Sequence, residues 1–330
     1  MKLGILSFAH LHAGSYAHSI QQAEGAELDF IWDENPARGQ QAAASFNVPY
    51  IANLADALAR DAQAIVIDSS NARHAGLAIA AAEAGKHVLC EKPLATTVED
   101  GKAMIDACAK AGVKLMTAFP CRFHPAYEGL CEVVTSGKLG AVKAIVGTNR
   151  GSMIGDWFCV KEESGGGAVM DHTVHVVDLI RAMTGSNIAE VYAEYDEKLY
   201  TEYGIDDIGL LSMRLENGVI ATLDCSWSRP PGYPTWGDVT LEVVGEAGVT
   251  KMDMFAQDLA KYPKQATKSE WVYWGDDMDF LLIQGFISAI TENKEPLTSG
   301  QDGLEALKVA LAAYESGARK QPVVLKELFG

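Results

Sequence analysis

The chain lacks any apolar run long enough to cross a membrane. Its longest hydrophobic stretches are strand length and interrupted by polar residues, whereas a spanning helix needs about 20. No signal peptide is expected either, because the first residues run straight into an apparent strand. A cytoplasmic location is therefore expected. The six cysteines (Cys90, Cys108, Cys121, Cys131, Cys159, Cys225) include no C-x-x-C pair, so neither a disulfide framework nor a thiolate zinc site is indicated. Basic runs are missing as well. With 27 Lys and Arg against 44 Asp and Glu, the formal charge is −17, which argues against a nucleic-acid partner, since phosphate binding needs a basic face. A small-molecule partner remains.

At 330 residues the chain is longer than an average domain, and two domains are expected. Residues 1–120 alternate short apolar runs (Leu3–Phe8, Leu28–Trp32, Ala64–Asp68, His87–Cys90, Val113–Phe119) with Ala-rich helical stretches. Parallel neighbours need crossover helices, so this alternation predicts an α/β doubly wound parallel sheet, the Rossmann arrangement. Residues 121–330 read differently. Strands are expected at 141–149, 188–196, 208–216, 218–228, 238–245, 249–254 and 270–274, with helices near 168–183, 278–292 and 302–318. Glu216-Asn217-Gly218 is a tight hairpin signal. The second part is thus expected to be α+β, with a large, mostly antiparallel open sheet.

Glycine is missing where a dinucleotide fold most needs it. After the first strand, the turn Ser7-Phe8-Ala9-His10-Leu11-His12 places Ser7, Ala9 and His12 at the glycine positions of G-x-G-x-x-G. Ser and Ala are the next smallest choices, and the following helix N-terminus would still offer main-chain N–H groups to a pyrophosphate. Asp33 ends the second strand, where an acid meets the adenosine ribose and disfavours a 2'-phosphate. It is equally placed to begin the next helix, with Asn35-Pro36 as its entry. NAD is expected, with NADP less favoured. The ring of His12 is expected to reach a cofactor phosphate or the nicotinamide ribose.

Two stretches, GKHVLCEKPLATTVED (85–100) and GGGAVMDHTVHVVDLIRAMTG (165–185), together resemble the Gfo/Idh/MocA oxidoreductases. The likeness spans nearly the whole chain: residues 68–87 resemble the family's third βα unit, 121–127 its crossover between domains, and 296–316 its closing helix. The chain departs from the family pattern in its glycine-poor first turn and in His172 after Asp171. The resemblance implies transfer of a hydride between nicotinamide and a secondary alcohol of a sugar, sugar acid or cyclic polyol. His175 would be the base, suited by an imidazole pKa near neutrality. Lys92 would donate to the reacting oxygen, and Asp171 would hold a further hydroxyl. Asp171 and His175 are four apart on one predicted helix and so share a face. Ser69, Asn71, His74, Glu91, Lys92 and Arg122 are expected along the cofactor, and His124, Trp157 and His172 beside the substrate.

Other readings follow from the same residues. Taken singly, Asp171/His175 is a surface pair, Glu91-Lys92 a solvated strand end, His74 a helix cap and Asp178 a helix-orienting acid. His10 and His12, with His172 and His175, offer imidazoles to a metal. No cysteine or paired carboxylate completes that set, and no metal is expected. An NAD-dependent glycoside hydrolase and a non-enzymatic NAD sensor are the alternative functions; the presence of Lys92, Asp171 and His175 opposes the sensor. Trp157 and the aromatic loop 226–236 would stack on a sugar or bury in subunit contacts. The resemblance implies a homodimer or homotetramer formed through the helix-free sheet face, with Ile220, Leu223 and Val239 as apolar positions compatible with it.

Overall fold

The computed structural model describes residues 1–256, 258–261, 270–273 and 275–330. The chain begins β1 (Lys2–Leu6), α1 (Ala13–Gln22), β2 (Glu27–Trp32), α2 (Pro36–Phe46), α3 (Leu54–Leu58), β3 (Ala64–Ile67), α4 (His74–Glu83), β4 (His87–Cys90), α5 (Val98–Ala111) and β5 (Leu115–Thr117). It continues with α6 (Pro125–Thr135), β6 (Val142–Thr148), α7 (Lys161–Ser164), α8 (Ala168–Thr184), β7 (Ile188–Asp196), β8 (Ile208–Leu215), β9 (Ile220–Asp224), β10 (Thr240–Gly245) and β11 (Gly248–Asp253). After β12 (Asp258–Lys261) and β13 (Glu270–Tyr273) come α9 (Met278–Thr291), α10 (Gly300–Arg319), β14 (Val323–Val324) and α11 (Leu325–Phe329). The expected strand at 270–274 is present to 273; residue 274 lies outside the described residues.

Two compact units divide the chain: Met1–Phe123 with Asp277–Leu304, and His124–Asp276 with Glu305–Gly330. The division falls at 123/124 rather than 120/121, and α9, which the sequence reading placed in the second part, belongs to the first. Packing explains this. Leu282, Ile283 and Phe286 of α9, each 0% exposed, join a core with Leu3, Ile5, Tyr16, Ile20 and Ile31. An apolar stripe shows that a helix is buried, not against which sheet.

The first unit holds a five-stranded sheet in the order β2-β1-β3-β4-β5, parallel throughout. Strand order reverses between β1 and β3, and doubly wound sheets bind ligands at the strand carboxyl ends beside such a reversal. The first turn and Ser69-Ser70-Asn71 both leave the sheet there.

The second unit holds a seven-stranded sheet, β11-β10-β6-β9-β8-β7-β14. Only β6 and β9 run parallel among its paired strands. Gly218, at φ +88°, closes the β8–β9 hairpin where the Asn-Gly signal predicted it. On the open face Val146 is 48% exposed, Leu210 54% and Ile220 50%. Leu223 and Val239 are not on that face, since both are 2% exposed. Strand residues alternate faces, so Leu223 lies opposite Ile220. No helix of the described residues is long and apolar enough to cross a membrane.

Because α9 completes the first core, Phe286→Ala is expected to cost about 3–5 kcal/mol, the usual range for emptying a buried aromatic site. Equilibrium denaturation followed by dinucleotide-sensitive and far-UV signals checks this. A change below about 1 kcal/mol would show that α9 is peripheral.

Candidate active site

The first turn keeps a glycine's backbone without the glycine. Ser7 sits at φ +77°, a left-handed value costly for a residue with Cβ. It is fully buried, its N–H donates to Trp32 O at 2.7 Å, and its Oγ accepts from the Ala9 N–H at 3.2 Å. The next amide, of Phe8, donates to Asp33 Oδ2 at 2.8 Å. Asp33 also accepts from the Asn35 N–H at 2.7 Å and from Arg38 Nε and Nη2 at 2.8 Å each. A carboxylate has about four lone-pair sites, and all are used. Helix entry falls to Asn35, whose Oδ1 accepts from the Ala37 and Arg38 amides. Arg38 reaches Glu34 as well, at 2.8 Å.

These residues fit a dinucleotide. His12 is the N-cap of α1, yet its side chain makes no capping bond, which leaves first-turn amides for an anion. A Cβ built on Gly14 would meet nothing within 4 Å, so the approach is open. Leu11 is half exposed.

The rings of His10 and His12 turn toward β4. His12 Nδ1 bonds Glu91 Oε1 at 2.8 Å, and His10 Nδ1 lies 3.6 Å from the same oxygen. Glu91 is fully buried, and its Oε2 accepts from the Lys92 N–H at 2.8 Å. Burial alone would raise the Glu91 pKa; His10, His12 and Lys92 outweigh it and hold the carboxyl well below its usual range. Burial likewise opposes charge on His12, while Glu91 raises its pKa overall. Burial and the charges of Glu91 and Asp279 push Asp68 well above the carboxylate range. Asp279 is also raised, by burial first, and accepts from Ser15 Oγ at 2.6 Å.

Lys92, 3% exposed, follows β4 at the carboxyl end of the sheet. Its loop is fixed from below by His74, fully buried, whose Nδ1 donates to Pro93 O at 2.9 Å. His74 is therefore placed to position the Lys92 segment. Ser69 and Asn71 are buried beside β3, with Ser69 Oγ donating to Ser70 O at 3.1 Å. Arg122 donates to Leu297 O at 2.7 Å.

In the second unit, α8 carries Asp171 and His175, 4% and 6% exposed. Of the three glycines before it, Gly165 sits at φ +82°, and Gly166 and Gly167 are small for steric reasons. A Cβ on Gly166 would lie 2.2 Å from the Tyr314 hydroxyl, and one on Gly167 1.9 Å from Asp206 O. Asp206 caps the helix from outside its own segment, accepting from the Gly167 and Val169 amides at 2.9 Å each and from the Tyr314 hydroxyl at 2.9 Å. Asp171 Oδ2 accepts from Trp227 Nε1–H at 3.0 Å. His172, fully buried, lies with Nε2 3.1 Å from Asp171 Oδ2 and Nδ1 3.1 Å from Cys225 O.

Several expected substrate contacts have other partners. His124 Nδ1 accepts from the Ala126 N–H at 3.1 Å and caps α6; burial lowers its pKa, in keeping with a neutral acceptor. Trp157 is buried and stacks on Phe158 at 3.9 Å. Trp227 is fully buried and holds Asp171 rather than offering a face to a sugar. Sequence reasoning missed the roles of Trp227, Asp206 and Arg38, because partners across a fold leave no spacing signal.

Residues 4–119 match the model of the oxidoreductase family with NAD-binding Rossmann fold, and residues 127–251 match the GFO/IDH/MocA C-terminal domain. The chain is 30% identical over 281 residues to myo-inositol 2-dehydrogenase of Thermotoga maritima, covering 81% of each. It is 32% identical over 321 residues to D-xylose 1-dehydrogenase (NADP(+)) 2 of Haloferax volcanii, covering 96% of this chain and 97% of that one. The crystal structure of a probable dehydrogenase from Thermotoga maritima superposes with a TM-score of 0.86 at 26% identity over 100% of both chains. The fold and these likenesses define an oxidoreductase with a Rossmann NAD-binding part. The chain belongs to the Gfo/Idh/MocA family.

The left-handed Ser7 gives an expected pattern. Ser7→Val should lose about 1–3 kcal/mol, the cost of forcing a β-branched residue into this conformation, and weaken dinucleotide binding. Ser7→Gly should bind at least as tightly as the parent. Fluorescence titration with NAD beside thermal melts tests this; equal behaviour of the two variants would contradict it.

Proposed function

We propose that the protein is an NAD-dependent dehydrogenase of a secondary alcohol on a sugar, sugar acid or cyclic polyol. Bound nicotinamide supplies the hydride acceptor. The observation that carries the reading is Lys92: a buried lysine at the carboxyl end of a parallel sheet whose first turn fits a dinucleotide. Its ammonium donates to the reacting oxygen and stabilises alkoxide character. His175 takes the hydroxyl proton. Asp171 accepts a neighbouring hydroxyl, oriented by the Trp227 indole and with His172 beside it.

NAD is favoured over NADP. Asp33 and Glu34 face one Arg38, which leaves the local charge negative where a 2'-phosphate would lie.

The open sheet face is read as the contact with a second copy. Val146, Leu210 and Ile220 are exposed there, and a groove of about 330 Å³ on it includes both Glu190 and Arg214, opposite charges that suit a two-fold, self-complementary contact. Leu210→Asp with Ile220→Asp should lower the mass seen by light scattering to that of one chain. A wild-type protein already monomeric at micromolar concentration would refute this.

A polyol and sugar panel scored by NADH absorbance tests the activity. His175→Ala should cut turnover by about 10²–10⁴ and Lys92→Ala by about 10²–10³, each with little change in NAD affinity. Trp227→Phe should lower kcat/KM by about 10–150-fold, matching a lost hydrogen bond to a charged group of about 1.5–3 kcal/mol. Near-normal turnover in His175→Ala would remove it as the base, and tighter binding of NADP than NAD would overturn the reading of Asp33.

A further inference from the structure

We propose that His10, His12 and Glu91 form a binding site for one divalent transition-metal ion, with Zn²⁺ the best-matched species. The proposal goes beyond the dehydrogenase reading and does not depend on it. The sequence shows no cysteine or paired carboxylate to complete a set of His10, His12, His172 and His175. The structure brings Glu91, the residue after β4, to His10 and His12.

The geometry is close to a ligand set. The three potential ligand atoms lie within 4.8 Å of one another. Glu91 Oε1 is 2.8 Å from His12 Nδ1 and 3.6 Å from His10 Nδ1. Tetrahedral Zn²⁺ with bonds of about 2.0–2.1 Å separates its ligand atoms by about 3.3 Å, so small adjustments admit the ion. Two imidazoles and one carboxylate match the donor set of catalytic zinc sites that keep a fourth position open. Here a quarter of the His12 side chain is exposed, which provides an entry path.

The surroundings suit a cation. Glu91 Oε2 is held by the Lys92 amide at 2.8 Å, which orients Oε1 toward the two rings, as partners of metal-bound carboxylates do. Asp68 is fully buried, and neither carboxylate oxygen has a hydrogen-bond partner among the described residues. Its main-chain oxygen accepts from the His10 N–H at 2.9 Å, so the residue adjoins the turn that carries the cluster. A buried carboxylate without partners is costly, and an adjacent dication lowers that cost. Metal binding would replace two contacts: the His12–Glu91 hydrogen bond, and the long one from the His12 N–H to His10 Nδ1 at 3.3 Å.

The alternative occupant of the cluster is a proton, shared in the His12–Glu91 hydrogen bond with no metal. Tag-free protein, stripped with chelator and dialysed, separates the two. Titration with Zn²⁺ by calorimetry and with Co²⁺ by visible absorption should reach one equivalent, the Co²⁺ form showing tetrahedral bands. His10→Ala and His12→Ala should each weaken binding by more than the about 10–100-fold typical of losing an outer partner. His18→Ala, at an exposed histidine, should change nothing. Melts of the metal-free variants establish folding, and His12→Gln replaces His12→Ala should the latter unfold. Absence of stoichiometric binding, or equal affinity in wild type and His10 or His12 variants, overturns the proposal. NAD titration of the stripped protein reports the dehydrogenase reading separately, so either can fail without the other.

Discussion

Asp33 accepts four hydrogen bonds, from the amides of Phe8 and Asn35 and from two nitrogens of Arg38. The end of β1 depends on that carboxylate. A turn lacking glycine must still reverse the chain tightly enough to start α1 at the carboxyl end of the sheet, and Ser7 does so by occupying a left-handed conformation. The cost of that conformation is of order 1–3 kcal/mol. Charge-assisted bonds to Asp33 and the buried Ser7 contacts offset it. Arg38 has a second consequence. By filling the carboxylate's lone pairs it ties Asp33, Arg38 and Glu34 into one charged group at the end of β2, so Asp33 does not act there alone.

The second unit solves a related problem with another carboxylate. Gly166 and Gly167 bring the backbone so close to Tyr314 and Asp206 that any side chain would collide. Asp206 then takes the amides that open α8. The helix start is thus fixed within one turn of Asp171 and two turns of His175. Trp227 completes the arrangement by holding one Asp171 oxygen in place. In both units a buried acid fixes main chain, and the side chains carried by that main chain are placed by it.

Strand and helix placement was legible in the sequence because periodicity reports local burial. The first sheet, α8, the β8–β9 hairpin and the closing helix all lie where alternation and the Asn-Gly signal put them. The free sheet face was only partly legible. Ile220 lies on it, while Leu223, an odd number of positions away, had to face inward. The unit to which α9 belongs was not legible, since Leu282, Ile283 and Phe286 would satisfy any apolar surface. For the candidate site, the spacing of Asp171 and His175 on one helix was readable. The partners were not. His74 against Pro93 and Trp227 on Asp171 join residues 19 and 56 positions apart, and no local pattern distinguishes them from other pairs; His124 on the Ala126 amide is a local cap, and Pro125 at the first position of α6 is its sequence signal.

Replacing glycines by Ser7, Ala9 and His12 does more than strain a turn. Glycine leaves nothing behind at a sheet edge, whereas each side chain introduced there must find solvent, a ligand or a partner. Ser7 finds the Ala9 amide, and His12, with His10 beside it, finds Glu91. Glu91 is anchored at its other oxygen by the main chain of Lys92. The first turn and the lysine segment are thereby coupled through one buried carboxylate, a link that a glycine turn cannot make. The space between the two imidazoles and Glu91 lies within one residue of Lys92. A change at the first turn is therefore passed through Glu91 to the Lys92 segment at the carboxyl end of the sheet.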